Sequence, residues 1–179
     1  VLGTHDYVMK TGHGSVLLGL SGGIDSAVVA TIAVAALGGN AVHGVLMPSR
    51  FSSLGSIEDA ERLAENLQIQ TETLPIEHLH VAFERTLGDA CLEQSGIAGE
   101  NAQARLRGLL LMAVSNTNGS LLLATGNKSE LAVGYSTLYG DMNGAISLIG
   151  DVYKTDVWAL ASWINANYEQ CGFAAPPIP

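Results

Sequence analysis

Short apolar runs alternate along the chain with longer stretches of helical periodicity. Four runs, 15–20, 42–47 ("VHGVLM"), 70–74 and 120–125 ("SLLLAT"), end where polar or glycine residues take over, and they read as strands. Residues 25–37 are apolar on nearly every face, which predicts a buried helix. "SIEDAERLAENL", 56–67, separates its faces, with Ser56 as the cap and Asp59 at the third helical position, and so predicts a surface helix. A third helix is expected over 100–118, stopped by Gly119, and a last one over 155–168. Strands separated by helices imply βα units around a parallel sheet whose strand C-termini share one edge. The expected fold is a doubly wound α/β sandwich with helices on both faces.

Composition narrows the setting. The 179 residues suit one domain, and 47% hydrophobic content is enough for a real core. Eight Lys and Arg against seventeen Asp and Glu give a net charge of −9, which repels a long phosphate backbone and argues against nucleic acid. Arg50, Arg105, Arg107, Lys128 and Lys154 fall in expected loops and helix starts facing one site, a gathering that suits a small anion. Cys91 and Cys171 have neither redox nor metal-ligand spacing, so a reducing, cytoplasmic setting is expected. No stretch reads as a signal peptide or is long enough to cross a membrane. The terminal "AAPPIP" reads as a linker or a cut end.

The stretch "SVLLGLSGGIDSAVVA", 15–30, carries the chemistry. Beyond the end of a parallel strand, a glycine turn lets backbone N–H groups approach phosphate oxygens, and the following helix N-terminus adds a favourable dipole. Ser21 and Ser26 supply hydroxyls, Gly22 and Gly23 remove Cβ atoms, and Asp25 is placed to hold a divalent cation. No Gly-Lys-Ser/Thr ending follows, which excludes the usual kinase or GTPase loop. For the glycines alone, a tight turn with a capping Asp competes with the phosphate reading.

"SGGIDS" resembles the signature of the ATP pyrophosphatases, the PP-loop family, which split ATP between its α and β phosphates to adenylate a substrate. "ENAQARLRG", "ATGNKSELAVGYSTLYGDMNGA" and "GDVYKT", in that order, resemble the NAD synthetases, and "LMPSRFSSLGSIEDA" resembles the synthetase domain of their long, glutamine-dependent form. The resemblance covers about 15–154, with helical flanks on both sides. It implies amidation of deamido-NAD to NAD through an adenylate, with ammonia as nitrogen donor and AMP and pyrophosphate released. No protein nucleophile is needed, in keeping with a sequence that has no Cys/His pair and no G-x-S-x-G elbow.

By the same resemblance Asp25 and Glu130 hold Mg2+ in one cleft, and Lys154 reaches the ATP phosphates. Gly19, Leu20, Ser21, Gly22, Gly23, Ile24, Asp25, Ser26, Leu46, Thr125 and Lys154 surround ATP. Asn101, Arg105, Glu130, Tyr135, Ser136, Thr137, Leu138 and Asp141 meet deamido-NAD. On motif-free grounds Glu130 reads as a first-turn acid favoured by the helix dipole, and Lys154 as a surface lysine. Arg105 shares a helix face with Asn101, whereas Arg107 lies about 200° further round, so one arginine is expected at the site. Tyr135 and Tyr139 read more readily as packing residues than as base-stacking ones. His5, His13, His43, His78 and His80 match no motif position.

A homodimer is implied too, and a glutaminase domain in the full-length protein; the chain itself has none and stops before a C-terminal segment of the family. Leu148 replaces a common proline, and the stretch before Glu100 is short. Two other readings share the loop: another PP-loop adenylating enzyme, tRNA-thiolating or GMP-forming, and a non-catalytic ATP-binding domain.

Overall fold

The computed structural model describes residues 1–88 and 96–179. Cys91 lies outside the described residues, and Cys171 is a free thiol. Five strands pair in parallel in the order β3-β2-β1-β4-β5. They are β1 (Val16–Leu20), β2 (Val42–Leu46), β3 (Gln70–Thr73), β4 (Leu121–Ala124) and β5 (Ile146–Ser147). The first four match the apolar runs. The fifth has only two residues, too few to show a period.

Alternation along the strands separates two cores. Val16, Leu18 and Leu20 face one side, where they pack with α2 (Ile24–Leu37), α3 (Leu54–Leu67) and α7 (Lys154–Ala166) through Val28, Leu63 and Val157. Leu17, Val45, Met47 and Leu122 face the other side, under Leu110, Leu111 and Val114 of α5 (Ile97–Asn118). The sheet is therefore covered on both faces, as apolar runs without polar alternation require. α2 is buried at every residue from Ser26 to Thr31, and α3 exposes Glu58, Asp59, Glu61 and Arg62 to solvent. α1 (Leu2–Lys10) sends Val8 into the first core, and α4 (Glu77–Leu87) packs on α5.

Some boundaries differ from the pattern. α3 starts at Leu54 because Ser53, not Ser56, is the cap: Ser53 Oγ accepts from Ser56 N at 3.1 Å. Both serines are good caps, and only the path of the preceding loop ranks them. α5 begins at Ile97, after Gly96 at φ 106°, three residues ahead of Glu100. α7 runs from Lys154 and ends at Ala166, where Asn167 Nδ2 bonds back to Trp163 O at 2.9 Å.

The terminal segment is not a loose linker. Ile178 is buried, its N–H donates to Asn165 Oδ1 at 3.1 Å, and its carbonyl accepts from Asn165 Nδ2 at 2.7 Å. Asn66 Nδ2 adds a bond to Pro177 O at 3.1 Å. The segment thus closes the edge between α3 and α7.

Candidate active site

The sheet order reverses direction between β1 and β4, and in such sheets ligands settle beyond the strand C-termini at that crevice. Ser21 follows β1 and Thr125 follows β4. Both line a cleft of ≈ 560 Å³, together with Gly19, Leu20, Leu46 and Asp141.

The loop after β1 is held by its own hydroxyls. Ser26 Oγ donates to Gly23 O at 2.9 Å, Gly23 N donates to Ser21 Oγ at 3.2 Å, and the two hydroxyls lie 3.2 Å apart. Gly23 is the N-cap of α2 and supplies no side-chain cap, so the first-turn N–H groups of this helix are left for a ligand. The two glycines have different reasons to be glycine. Gly22 has φ +76°, and a Cβ there would run into the backbone carbonyl of Ser56, so the requirement comes from the protein itself. Gly23 has φ −88°, and a Cβ there would meet only Ser21 Oγ, at 3.2 Å.

Asp25 and Glu130 are not in the cleft wall. They join at the adjacent starts of α2 and α6 (Lys128–Val133) through Asn127, which is fully buried. Asn127 Nδ2 donates to Asp25 Oδ1 at 3.0 Å, while its Oδ1 accepts from Glu130 N at 3.0 Å. Its backbone N–H donates to Glu130 Oε2 at 3.1 Å, which completes a capping box. Lys154 Nζ donates to Asp25 Oδ2, so this lysine holds the carboxylate and is no isolated surface group.

The segment carrying Tyr135 to Leu138 is braced from α5. Thr137 Oγ1 donates to Asn101 Oδ1 at 2.7 Å, Arg105 Nε donates to Leu138 O at 3.2 Å, and Thr137 N donates to Asp141 Oδ1 at 2.7 Å. The shared face of Asn101 and Arg105 therefore meets this loop. Tyr135 and Tyr139 are 72% and 77% exposed, so neither is a packing residue; Ser136 is half-buried. A tight approach to the helix shapes the turn: Tyr139 has φ 64°, and a Cβ at Gly108 would lie 2.7 Å from Tyr139 O.

The cations do not gather as expected. Arg50 pairs with Glu77 at 2.6 Å and Glu84 at 3.5 Å, and Lys128 sits 4.6 Å from the centre of the Tyr153 ring. The Glu77 hydrogen bond raises the Arg50 pKa, and the same bond lowers that of Glu77. It is Arg107, not Arg105, that lines the cleft. Burial lowers its pKa from the ordinary value.

Comparison with known proteins identifies this arrangement. The sequence matches the NAD synthase family over residues 1–176. The chain belongs to that family. It is 54% identical over 166 residues to the glutamine-dependent NAD(+) synthetase of Synechocystis, across 92% of this chain and 30% of that protein. The glutamine-dependent NAD+ synthetase of Acinetobacter baumannii, solved with ADP, has TM-score 0.92 and 45% identity, over 98% of this chain and 32% of that one. The NH3-dependent NAD synthetase of Campylobacter jejuni, solved with nitrate, has TM-score 0.81 and 36% identity, over 94% and 72% of the two chains. The chain thus spans about 30% of the length of its curated glutamine-dependent relatives. Its sheet and helices form the PP-loop fold of the NAD synthetases.

Within this NAD synthase domain, sequence reasoning missed Asn127, and it chose Arg105 over Arg107 as the single arginine at the site. The Asn-x-x-Glu spacing of "NKSE" was a legible capping-box signal for the first. Nothing local marked Arg107, because its role depends on which side of α5 faces the sheet. The donor set at the α2–α6 junction fits magnesium: two carboxylates offer oxygen only, and Glu130 Oε1 carries no hydrogen bond among the described residues.

Proposed function

We propose that the protein carries out ATP-dependent amidation of deamido-NAD to NAD, with ammonia as nitrogen donor, supplied by a glutaminase domain in the full-length form. The single observation that carries this reading is the placement of the Ser21–Ser26 loop and the Asp25–Asn127–Glu130 junction at the sheet's switch point, in a chain of this family. ATP lies over the loop, with its phosphates against the first turn of α2 and Thr125 on the opposite wall. Asp25 and Glu130 would hold Mg2+, which when bound would neutralise phosphate charge. Asn101, Arg105, Asp141 and the Tyr135–Leu138 loop hold deamido-NAD. Its nicotinate carboxylate oxygen attacks the α-phosphorus, the bond to the β-phosphate oxygen breaks, and pyrophosphate leaves. Lys154 moves from Asp25 to the departing phosphates, where charge builds up. Ammonia then attacks the acyl carbon, AMP departs with the bonding pair, and a proton is lost to leave the amide. No side chain forms a covalent bond, so rate comes from orientation and charge.

Both substrates are needed for chemistry, and this decides the test. Pyrophosphate release should require deamido-NAD, and NAD should form with ammonium salts. ATP binding without substrate-dependent pyrophosphate would instead favour a non-catalytic ATP-binding domain. Asp25→Asn should weaken magnesium-dependent ATP use while leaving the fold intact; equal activity in that variant removes the metal assignment. Among the described residues no helix is long and apolar enough to cross a membrane. With Cys171 a free thiol, we place the protein in the cytoplasm.

A further inference from the structure

Arg107 sits in the wall of the ≈ 560 Å³ cleft and, among the described residues, is the only lysine or arginine there. Its Nε donates to Met47 O at 3.1 Å and its Nη2 to Ser49 Oγ at 3.4 Å. Ser49 Oγ in turn donates to Gln103 Oε1 at 3.1 Å, so Gln103 and Arg107, one turn apart on α5, hold the loop after β2. All these acceptors are neutral. Among the described residues Arg107 makes no ion pair, and Asp141, the one carboxylate in the cleft wall, accepts from Thr137 N instead.

A guanidinium has five N–H donors in a planar fork, and Arg107 uses two, which leaves the Nη1 group and one Nη2 hydrogen. A half-buried cation without a counter-charge is costly, and the groups that best offset it are bidentate carboxylates and phosphates. The cleft supplies the space for one, and apart from Asp141, which is engaged by Thr137 N, its other walls supply backbone, hydroxyls, the Asn143 amide and apolar side chains. We propose that Arg107 is a binding residue for a phosphate of the nucleotide in this cleft, fixed in place by Met47 and Ser49. The proposal rests on the reading of the cleft as the ATP site. It gives the nucleotide a cation on the α5 side, opposite the loop after β1.

The test measures ATP and deamido-NAD affinity by calorimetry in the complete protein, with the non-cleavable α,β-methylene analogue of ATP present in the deamido-NAD arm. Arg107→Met should weaken ATP by at least about tenfold. If deamido-NAD weakens by that factor instead, the phosphate is that of the dinucleotide and the assignment of the residue still holds. Arg107→Lys keeps the charge and loses the fork, so it should weaken the same ligand by about threefold or more; it decides the matter if the Met variant does not fold. Wild-type affinity for both ligands in a folded variant overturns the proposal and leaves Arg107 as a clamp on the loop after β2. Gly23→Ala separates the two levels of the argument. If it weakens ATP about tenfold while Arg107→Met weakens neither ligand, only the proposal fails; if neither variant has an effect on either ligand, the cleft is not the ATP site.

Discussion

At the scale of single residues, the two glycines after β1 illustrate how one motif serves two purposes. Gly22 is required by its φ of +76° and by the Ser56 carbonyl, so Gly22→Ala should lower stability by more than about 1 kcal/mol. That loss should appear as a lower thermal midpoint without any ligand. Gly23 has ordinary dihedrals, and an added methyl group would press only on the Ser21 hydroxyl, at 3.2 Å. Gly23→Ala should leave the midpoint nearly unchanged and weaken ATP about tenfold, roughly 1.4 kcal/mol. AMP lacks the pyrophosphate that the loop takes, so its affinity should fall much less. Equal losses for ATP and AMP, or a loss of stability alone, would make Gly23 a structural turn residue.

At the scale of elements, α6 has only six residues and cannot hold itself together as an isolated helix. Its capping box ties its first turn to Asn127, and Asn127 ties it to Asp25 on α2. Glu130 therefore has a structural bond on Oε2 and, among the described residues, an unbonded Oε1 on the same carboxylate. Glu130→Gln keeps a capping side chain at this position and removes the charge, so the thermal midpoint should hold while metal-dependent turnover falls. Glu130→Ala loses both, and the fold should lose about 1 kcal/mol as well. A Gln variant as unstable as the Ala variant would show that the box needs the charge. Asn127→Ser can still cap α6 but cannot reach Asp25 with a donor. Its expected signature is a raised magnesium requirement in ATP binding with a near-normal midpoint; an unchanged requirement would confine Asn127 to capping.

At the scale of the whole molecule, α5 braces three of the segments around the cleft. Its Asn101 and Arg105 brace the 135–138 loop, Gln103 and Arg107 hold the loop after β2, and Gly108 lets the turn at Tyr139 approach. The same helix leaves Leu109 and Met112 exposed, and α7 leaves Trp158 and Trp163 exposed, so neither apolar helix is spent wholly on the domain's own core. A twofold dimer, if it forms through α5, is expected to use Leu109, one turn on from Arg105. Sedimentation should find a dimer at micromolar concentrations, and Leu109→Glu should give a monomer with weaker deamido-NAD binding. A dimer broken by Trp158→Glu and not by Leu109→Glu would move the contact to α7.

Local pattern was sufficient for β1, β2 and β4, the buried α2 and the glycine turn after β1, because apolar runs, all-round apolar periodicity and paired glycines each act through neighbours in the chain; β3, "QTET" and exposed throughout, took its place from pairing with β2. The capping box of α6 was legible for the same reason, though the pattern alone gave it no purpose. The Asp25–Asn127 bond, which spans 102 positions, has no local signal. Sequence spacing separated Arg105 from Arg107 by helix face, but which face looks into the cleft depends on the rotation of α5 against β1 and β4. That rotation is set by packing of Leu110, Leu111 and Val114 on Leu17 and Leu122. The pairing of Arg50 with Glu77 and Glu84, and of Lys154 with Asp25, likewise followed from chain segments meeting in space. The sequence by itself determined the parallel α/β fold and the glycine turn after β1; the tertiary structure decided which charges are neutralised within the protein and which one faces the cleft.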